Sequence, residues 1–407
     1  MNSPFQNALE QLEKATKLQQ FSTSFLAQMQ SPQREIKVSI PVKMDDGTTQ
    51  VFEGYRVQYC NARGPYKGGI RYHQHTDIEE VKALAFWMAL KTAVANIPMG
   101  GGKGGITVDP RILSATELEK LSRGWVRAFA PVLGPHQDVP APDVNTTPQI
   151  MSWMVDEYEQ LSGDKTKATF TGKPLNNGGS EGRNLATGMG GFYVFDALKI
   201  TSKLPEKVTV VIQGMGNVGG NAGRIFSANG HTVIAISDSK GGIYNKAGLD
   251  IQAVEQYKKD YGTLQGFPNA QRITNQELLE LETDVLIPAA LENQITEKNA
   301  QAIRAKLVLE LANGPTTPEA DEILFKKGIY VVPDILANSG GVIVSTFEWE
   351  QNLKNEHWSE DEVNKKLHTI LKSEANNIWE KAKDLKTDLR RAAFIVALER
   401  LEKAMNS

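Results

Sequence analysis

VTVVIQGMGNVGG, Val208–Gly220, sets a short apolar run directly before three glycines. Gly214, Gly216 and Gly219 have GxGxxG spacing, the run before them reads as a strand, and Asn217 and Val218 open a helix. Such glycines permit a tight turn and let the backbone N–H groups of the helix N-terminus reach a pyrophosphate. HTVIAIS reads as the next strand, and Asp238 closes it nineteen positions after Gly219, where an acid can accept hydrogen bonds from a ribose. Strand, turn, helix, strand and acid in that order predict a dinucleotide-binding unit, its ring a nicotinamide in preference to a flavin. The coenzyme signals conflict, because Asp238 repels a 2′-phosphate whereas Ser239 and Lys240 can hold one. The expectation is NAD or NADP, leaning to NAD, with use of both open.

Outward from this stretch, DVLIPAAL, KLVLEL and IYVVPDIL repeat the short apolar pattern, separated by helical segments. That is the pattern of a parallel sheet wound with helices on both faces, and it makes this half Rossmann-like. The first half differs. Ile36, Val38, Ile40 and Val42 alternate with polar residues, and Asp46-Gly47 turns the chain into Val51, Glu53, Tyr55, Val57 and Tyr59, a hairpin in a mixed or antiparallel sheet. Thr76 with Glu79 predicts a capping box ahead of a buried helix that stops near Pro98. Ser114 with Glu117 predicts another, and Thr147-Pro148 a third helix start. The last fifty residues read as charged helices that return to the first half. We therefore expect an α/β protein of two domains: residues 1–181 plus about 376–407, an α/β substrate-binding and oligomerisation domain with a mixed sheet, and residues 182–375, a Rossmann-like dinucleotide-binding domain.

Composition narrows the class. The 407 residues carry 45 Lys+Arg against 48 Asp+Glu, a net charge of -3, so a nucleic-acid partner on a basic surface is not expected. Cys60 is the only cysteine, which excludes an intramolecular disulfide and suggests a reducing compartment. No uncharged apolar run approaches the ~18 residues of a membrane span. The expectation is a cytoplasmic protein with no membrane partner. His73 and His75 alternate as strand neighbours do, but no third ligand accompanies them, and no metal site is expected.

Three lysines of the first half sit in suggestive settings: Lys67 in YKGGIR, Lys91 in MALKTA and Lys103 in PMGGGKGG. The last is not a Walker A loop, since Ile97 stands where that pattern needs glycine and Gly104 where it needs Ser or Thr. If the three ammonium groups converge, each raises the cost of charging the others, and burial adds to it, so at least one titrates well below a free lysine. A lysine so placed works as an acid or base near neutral pH. Asp143, in PAPDVNT, is the one acid in a stretch of small residues and prolines. Three ammonium groups against one carboxylate favour a dianion as substrate.

KGGIR at Lys67–Arg71, PMGGGKGG at Pro98–Gly105, PAPDVNT at Pro140–Thr146, GGSEGRNLATGMG at Gly178–Gly190, QGMGNVG at Gln213–Gly219, LANGPTT at Leu311–Thr317 and LANSGGVIVSTFEW at Leu336–Trp349 occur in one order along the chain. Together they resemble the glutamate, leucine, phenylalanine and valine dehydrogenases, and among these the glutamate dehydrogenases. The resemblance implies reversible oxidative deamination of L-glutamate to 2-oxoglutarate and ammonium, with hydride transfer to NAD(P). It makes Lys103 the catalytic lysine, which polarises the carbonyl or activates water, and Asp143 the proton-transfer carboxylate. Lys91 resembles the residue that holds the α-carboxylate. Lys67 and Ser345, with Gly68 and Gly69 beside the lysine, resemble the γ-carboxylate site that separates glutamate enzymes from relatives taking apolar side chains. Thr187 and Asn217 resemble residues near the nicotinamide amide and the pyrophosphate, and Asn313 and Asn338 residues lining the coenzyme cleft. One departure is visible: Met88 stands one turn before Lys91, where some members place a glutamine. The resemblance further implies a homohexamer without the long helical antenna of the animal enzymes. The competing readings are a branched-chain or aromatic amino acid dehydrogenase and a non-catalytic nucleotide-sensing assembly on the same scaffold.

Overall fold

The structure is a computed structural model that describes residues 4–406. The chain forms two compact units, and the expected two-domain α/β architecture holds. The first unit runs to Arg183 and takes up Val342–Asn364 and the chain from Phe394; the second comprises Asn184–Gly341 and Lys365–Ala393. The last fifty residues are thus shared between the units, and the second unit extends to Ala393 where the sequence reading placed its end near residue 375.

In the first unit five strands, β1 Arg34–Lys43, β2 Thr49–Cys60, β3 Tyr66–His73, β4 Gly101–Thr107 and β5 Asp138–Pro142, form one mixed sheet in the order β1-β2-β4-β3-β5. β1 and β2 are the expected hairpin, with Ile40 opposite Phe52. β4 runs antiparallel to β2 and parallel to β3, and β5 parallel to β3. Side chains alternate between faces along a strand. Ile70, Tyr72 and Ile106 enter the core with Trp125, Phe129, Ile150 and Met154, supplied by the helices Ala115–Phe129 and Pro148–Ser162. Lys67, Gly69, Arg71 and Lys103 are consequently turned to the opposite face. That face is covered by the helix Ile78–Val94, which packs on β2 and β4. The helix comes so close that a Cβ on Gly101 would lie 2.3 Å from the Ala89 backbone nitrogen, which explains why a glycine-rich segment serves as an interior strand. The caps at Ser114 and Thr147 form as expected. The third does not: Asp77, not Thr76, caps Ile78–Val94 by accepting from the Glu80 N–H, while Thr76 is buried against Gly105.

The second unit carries β6 Thr209–Gln213, β7 Thr232–Asp238, β8 Gly241–Tyr244, β9 Gln271–Ile273, β10 Thr283–Pro288, β11 Ala305–Leu309 and β12 Tyr330–Val332. Their order is β12-β11-β10-β6-β7-β8-β9. The five strands read from the sequence are parallel, and β8 and β9 add an antiparallel extension at the β7 edge. Three and four residues are too few for a period to show. Val211, Leu286 and Val308 pack with Leu278 and Leu324 on one face, while Ile212 meets the helix Asn217–Ala228 on the other. Both faces are covered, as uniformly apolar parallel strands require.

Candidate functional site

The first cluster lies on the helix-covered face of the first unit's sheet. Lys103 on β4 places Nζ 2.9 Å from Oδ2 of Asp143, the residue directly after β5. Arg71 on β3 donates from Nε to the same oxygen at 3.0 Å, and its Nη1 pairs with Glu80 in the first turn of Ile78–Val94. Both donors meet Oδ2, and among the described residues none donates to Oδ1. The Asp143 loop is fixed by Thr146, which accepts from the Asp143 N–H at 2.7 Å and donates to the Ile70 carbonyl at 2.9 Å. Gly69 lies between Lys67 and Arg71 on this face, and a Cβ there would stand 2.7 Å from Cβ of Asp143. Burial opposes the charge on Asp143, yet Lys103 and Arg71 outweigh it and hold the carboxyl at about 2. Burial, reinforced by Arg71, lowers Lys103 below an ordinary lysine, with Asp143 opposing. At neutral pH the carboxylate is therefore ionised.

A second group surrounds Lys67, which is 1% exposed. Its Nζ donates to the Val139 carbonyl at 3.2 Å and to Thr171 Oγ1 at 2.7 Å, and that hydroxyl is 2.6 Å from Ser345 Oγ. Burial draws the Lys67 ammonium down to about 7, against the pull of Glu348 and with Arg183, Arg56 and Lys173 repelling it. Ser345 and Glu348 stand three residues apart on the helix Gly340–Lys354 and therefore on one face. Glu348 forms a fully buried pair with Lys173 at 2.7 Å and accepts from the Gly172 N–H at 2.7 Å. Arg183 has a buried Nε with no acceptor among the described residues. Gly68, next to Lys67, accepts at its carbonyl from Arg56, itself in a fully buried pair with Asp138. Lys91 lies half-buried in the last turn of Ile78–Val94, with Met88 a turn earlier.

The second unit gathers the other candidates at the carboxyl ends of its parallel strands, where α/β sheets bind ligands. After β6, Gly214 takes φ +102, and Gly216 caps the helix Asn217–Ala228 without any side-chain hydrogen bond. Gly216 has open space around its Cβ position, so Asn217, Val218 and Gly219 offer first-turn N–H groups to an anion; this fits a pyrophosphate. Asp238 ends β7 but is partly engaged: Oδ1 accepts from the Lys240 N–H at 2.8 Å and Oδ2 from the Leu264 N–H at 3.1 Å. Ser239 and Lys240 are exposed beside it. Asn313 follows β11, Asn338 follows the short helix after β12, and Asn338 Nδ2 donates to Asn313 Oδ1 at 2.9 Å. Thr187 lies in the first turn of the helix Ala186–Lys199. Gly219 admits no side chain, since its Cβ would lie 1.8 Å from the Gly214 carbonyl oxygen. Gly219→Ala is therefore expected to weaken coenzyme binding and to destabilise the second unit by about 1–3 kcal/mol, read by coenzyme titration and thermal melting. Unchanged binding would refute the assignment of this turn.

Residues 178–407 match the Glutamate/Leucine/Phenylalanine/Valine dehydrogenase family, and residues 32–160 match the Glu/Leu/Phe/Val dehydrogenase dimerisation domain. The chain belongs to this family. Among its Glu/Leu/Phe/Val dehydrogenase relatives, an NADP-specific glutamate dehydrogenase of Synechocystis is 48% identical over 100% of this chain and 97% of its own length. An NAD-specific glutamate dehydrogenase of Clostridioides difficile is 48% identical over 93% of this chain and 91% of its own. The crystal structure of the hetero-hexameric glutamate dehydrogenase from Thermus thermophilus, in a Leu-bound form, superposes with a TM-score of 0.93 at 37% identity, covering 98% of this chain and 96% of that one.

Sequence reasoning missed Arg71, Glu80, Thr171 and Arg183. Arg71 had a signal, since it lies two strand pleats from Lys67 in KGGIR and so shares its face. Arg183 stood among the glycines of GGSEGR. Thr171 and Glu80 had none: each joins its group through a side-chain contact that the local pattern does not predict.

Proposed function

We propose that this chain catalyses the reversible oxidative deamination of L-glutamate to 2-oxoglutarate and ammonia, with hydride transfer to NAD or NADP. The observation that carries the reading is the buried Lys67 ammonium joined through Thr171 to Ser345, in the unit that also pairs Lys103 with Asp143. A protein handling an apolar side chain has no reason to bury an ammonium where that side chain ends. Lys67 and Ser345 receive the γ-carboxylate beside Gly68 and Gly69, and Lys91 the α-carboxylate. A bound nicotinamide dinucleotide supplies the hydride acceptor at the turn Gly214–Gly219. Lys103 polarises the substrate carbon–nitrogen or carbonyl group and activates the attacking water. Asp143 Oδ1 exchanges the proton with the amine. In domain terms, residues 1–181 with about 376–407 bind substrate and assemble the oligomer, and residues 182–375 bind the dinucleotide. The assembly is a homohexamer working in the cytoplasm. Relatives of similar identity are named for opposite coenzymes, which supports an NAD(P) coenzyme and favours neither of the two.

Oxidation of reduced coenzyme, followed by absorbance, is expected to require 2-oxoglutarate and ammonium together. Branched-chain and aromatic 2-oxo acids should be poorer by about 10³-fold or more, because they leave the Lys67 ammonium unpaired. Equal rates with a branched-chain 2-oxo acid would sink the glutamate reading, and no ammonium-dependent oxidation with either would favour a non-catalytic nucleotide sensor.

A further inference from the structure

We propose that Arg71 is the positioning residue of the site: anchored by Glu80, it fixes Asp143 through Oδ2 so that Oδ1 alone is presented to the reacting amine. The inference rests on the deamination reading above.

The geometry has three parts. Arg71 lies on the same strand and face as Lys67, two pleats along, and reaches Asp143 through Nε at 3.0 Å. Its Nη1 is held by Glu80, so the planar guanidinium is clamped at two points and cannot swing away from the carboxylate. Lys103 meets the same Oδ2 from the neighbouring strand, which leaves Oδ1 without a donor among the described residues. A carboxylate held by one oxygen with two cations has a fixed orientation and one free oxygen, and proton transfer needs that arrangement.

The charged groups facing Asp143 are Lys103 on β4 and Arg71 on β3; Glu80 on the helix Ile78–Val94 faces Arg71, and Arg56 on β2 acts on Lys103. Arg56 is itself matched by Asp138. Arg71 is thus the second of two cations on the carboxylate, and Lys103 is the one that also takes part in the chemistry. Removing Arg71 leaves the carboxylate with a partner whose own proton is in play. The acid side of the pH profile then depends on Arg71, and its orientation does too.

The test is the pH dependence of kcat/KM for glutamate in Arg71→Gln and Arg71→Lys, each checked by thermal melting and coenzyme titration. Arg71→Gln is expected to lower kcat by roughly tenfold to a hundredfold and to move the acidic limb of kcat/KM up by about one to two pH units. Arg71→Lys keeps the charge but not the two-point clamp, so its acidic limb should stay with the wild type while kcat falls. A merely structural role would lower the rate by the same factor at every pH, and an unmoved limb in Arg71→Gln overturns the proposal. Where Arg71→Gln does not fold, Arg71→Lys decides: a limb displaced as the charge is retained, or a kcat equal to wild type, also overturns it. Asp143→Asn separates this from the parent reading. If Asp143→Asn keeps full activity the deamination assignment of Asp143 fails, whereas an inactive Asp143→Asn with an unmoved Arg71→Gln limb removes only the role of Arg71.

Discussion

Lys103→Ala is expected to lower kcat for glutamate oxidation by about 10³-fold while coenzyme binding stays unchanged. The two halves of that result have separate causes. Lys103 lies on β4 in the first unit and pairs with Asp143, whereas the glycine turn offered to the pyrophosphate belongs to the second unit. On the proposed roles, loss of the Lys103 side chain removes the group that polarises the reacting carbon–nitrogen bond. It also leaves Asp143 with Arg71 as its one remaining cationic partner among the described residues. Asp143→Asn should cost a similar factor, since the amide keeps the shape but cannot accept a proton as an ionised carboxylate does. The double variant should then be little worse than either single one, because residues acting as a unit are not additive. Steady-state kinetics on the three variants checks this, and a normal kcat in Lys103→Ala would remove the catalytic assignment altogether.

The second large effect concerns Lys67. Lys67→Met is expected to lower kcat/KM for glutamate by about 10³-fold, the cost of removing one partner from a buried charge pair. The same substitution should stabilise the protein by about 1–4 kcal/mol below pH 7, because an apolar side chain of similar volume replaces an ammonium that burial disfavours. The sign follows from linkage. Lys67 is lowered from 10.5 to about 7 in the folded chain, so the unfolded state binds more protons between those values, and wild-type stability rises with pH across that window. The advantage of Lys67→Met is therefore full below pH 7 and shrinks toward pH 10.5. Chemical denaturation of both proteins across that range measures it. A wild type that gains nothing on raising the pH would show that Lys67 is not the destabilising charge its burial implies.

The legible part of this protein was the part written in short-range pattern. The hairpin of β1 and β2, the glycine turn after β6 and the five parallel strands follow from alternation, glycine spacing and apolar runs within windows of a dozen residues or fewer. The short strands β8 and β9 were too brief to leave a period, and the cap of Ile78–Val94 falls one residue later than the capping-box pattern placed it, at Asp77, which accepts from the Glu80 N–H. At the site, the lysines and Asp143 stood out by their company of glycines and prolines, whereas Thr171 and Glu80 gained their places through contacts 104 and 9 residues away in sequence. Which face a strand residue occupies explains much of the rest. Ile70 and Tyr72 in the core oblige Lys67 and Arg71 to the other side, and that single alternation brings two cations of KGGIR onto the face that also carries Lys103.

A crystal structure of this protein with bound glutamate settles which side chains receive the substrate. The γ-carboxylate should lie within hydrogen-bond distance of Lys67 Nζ and Ser345 Oγ, with the amino group beside Asp143 Oδ1 and Lys103 Nζ. Glutamate bound with its side chain directed away from Lys67, or at a place remote from the Lys103–Asp143 pair, would contradict it.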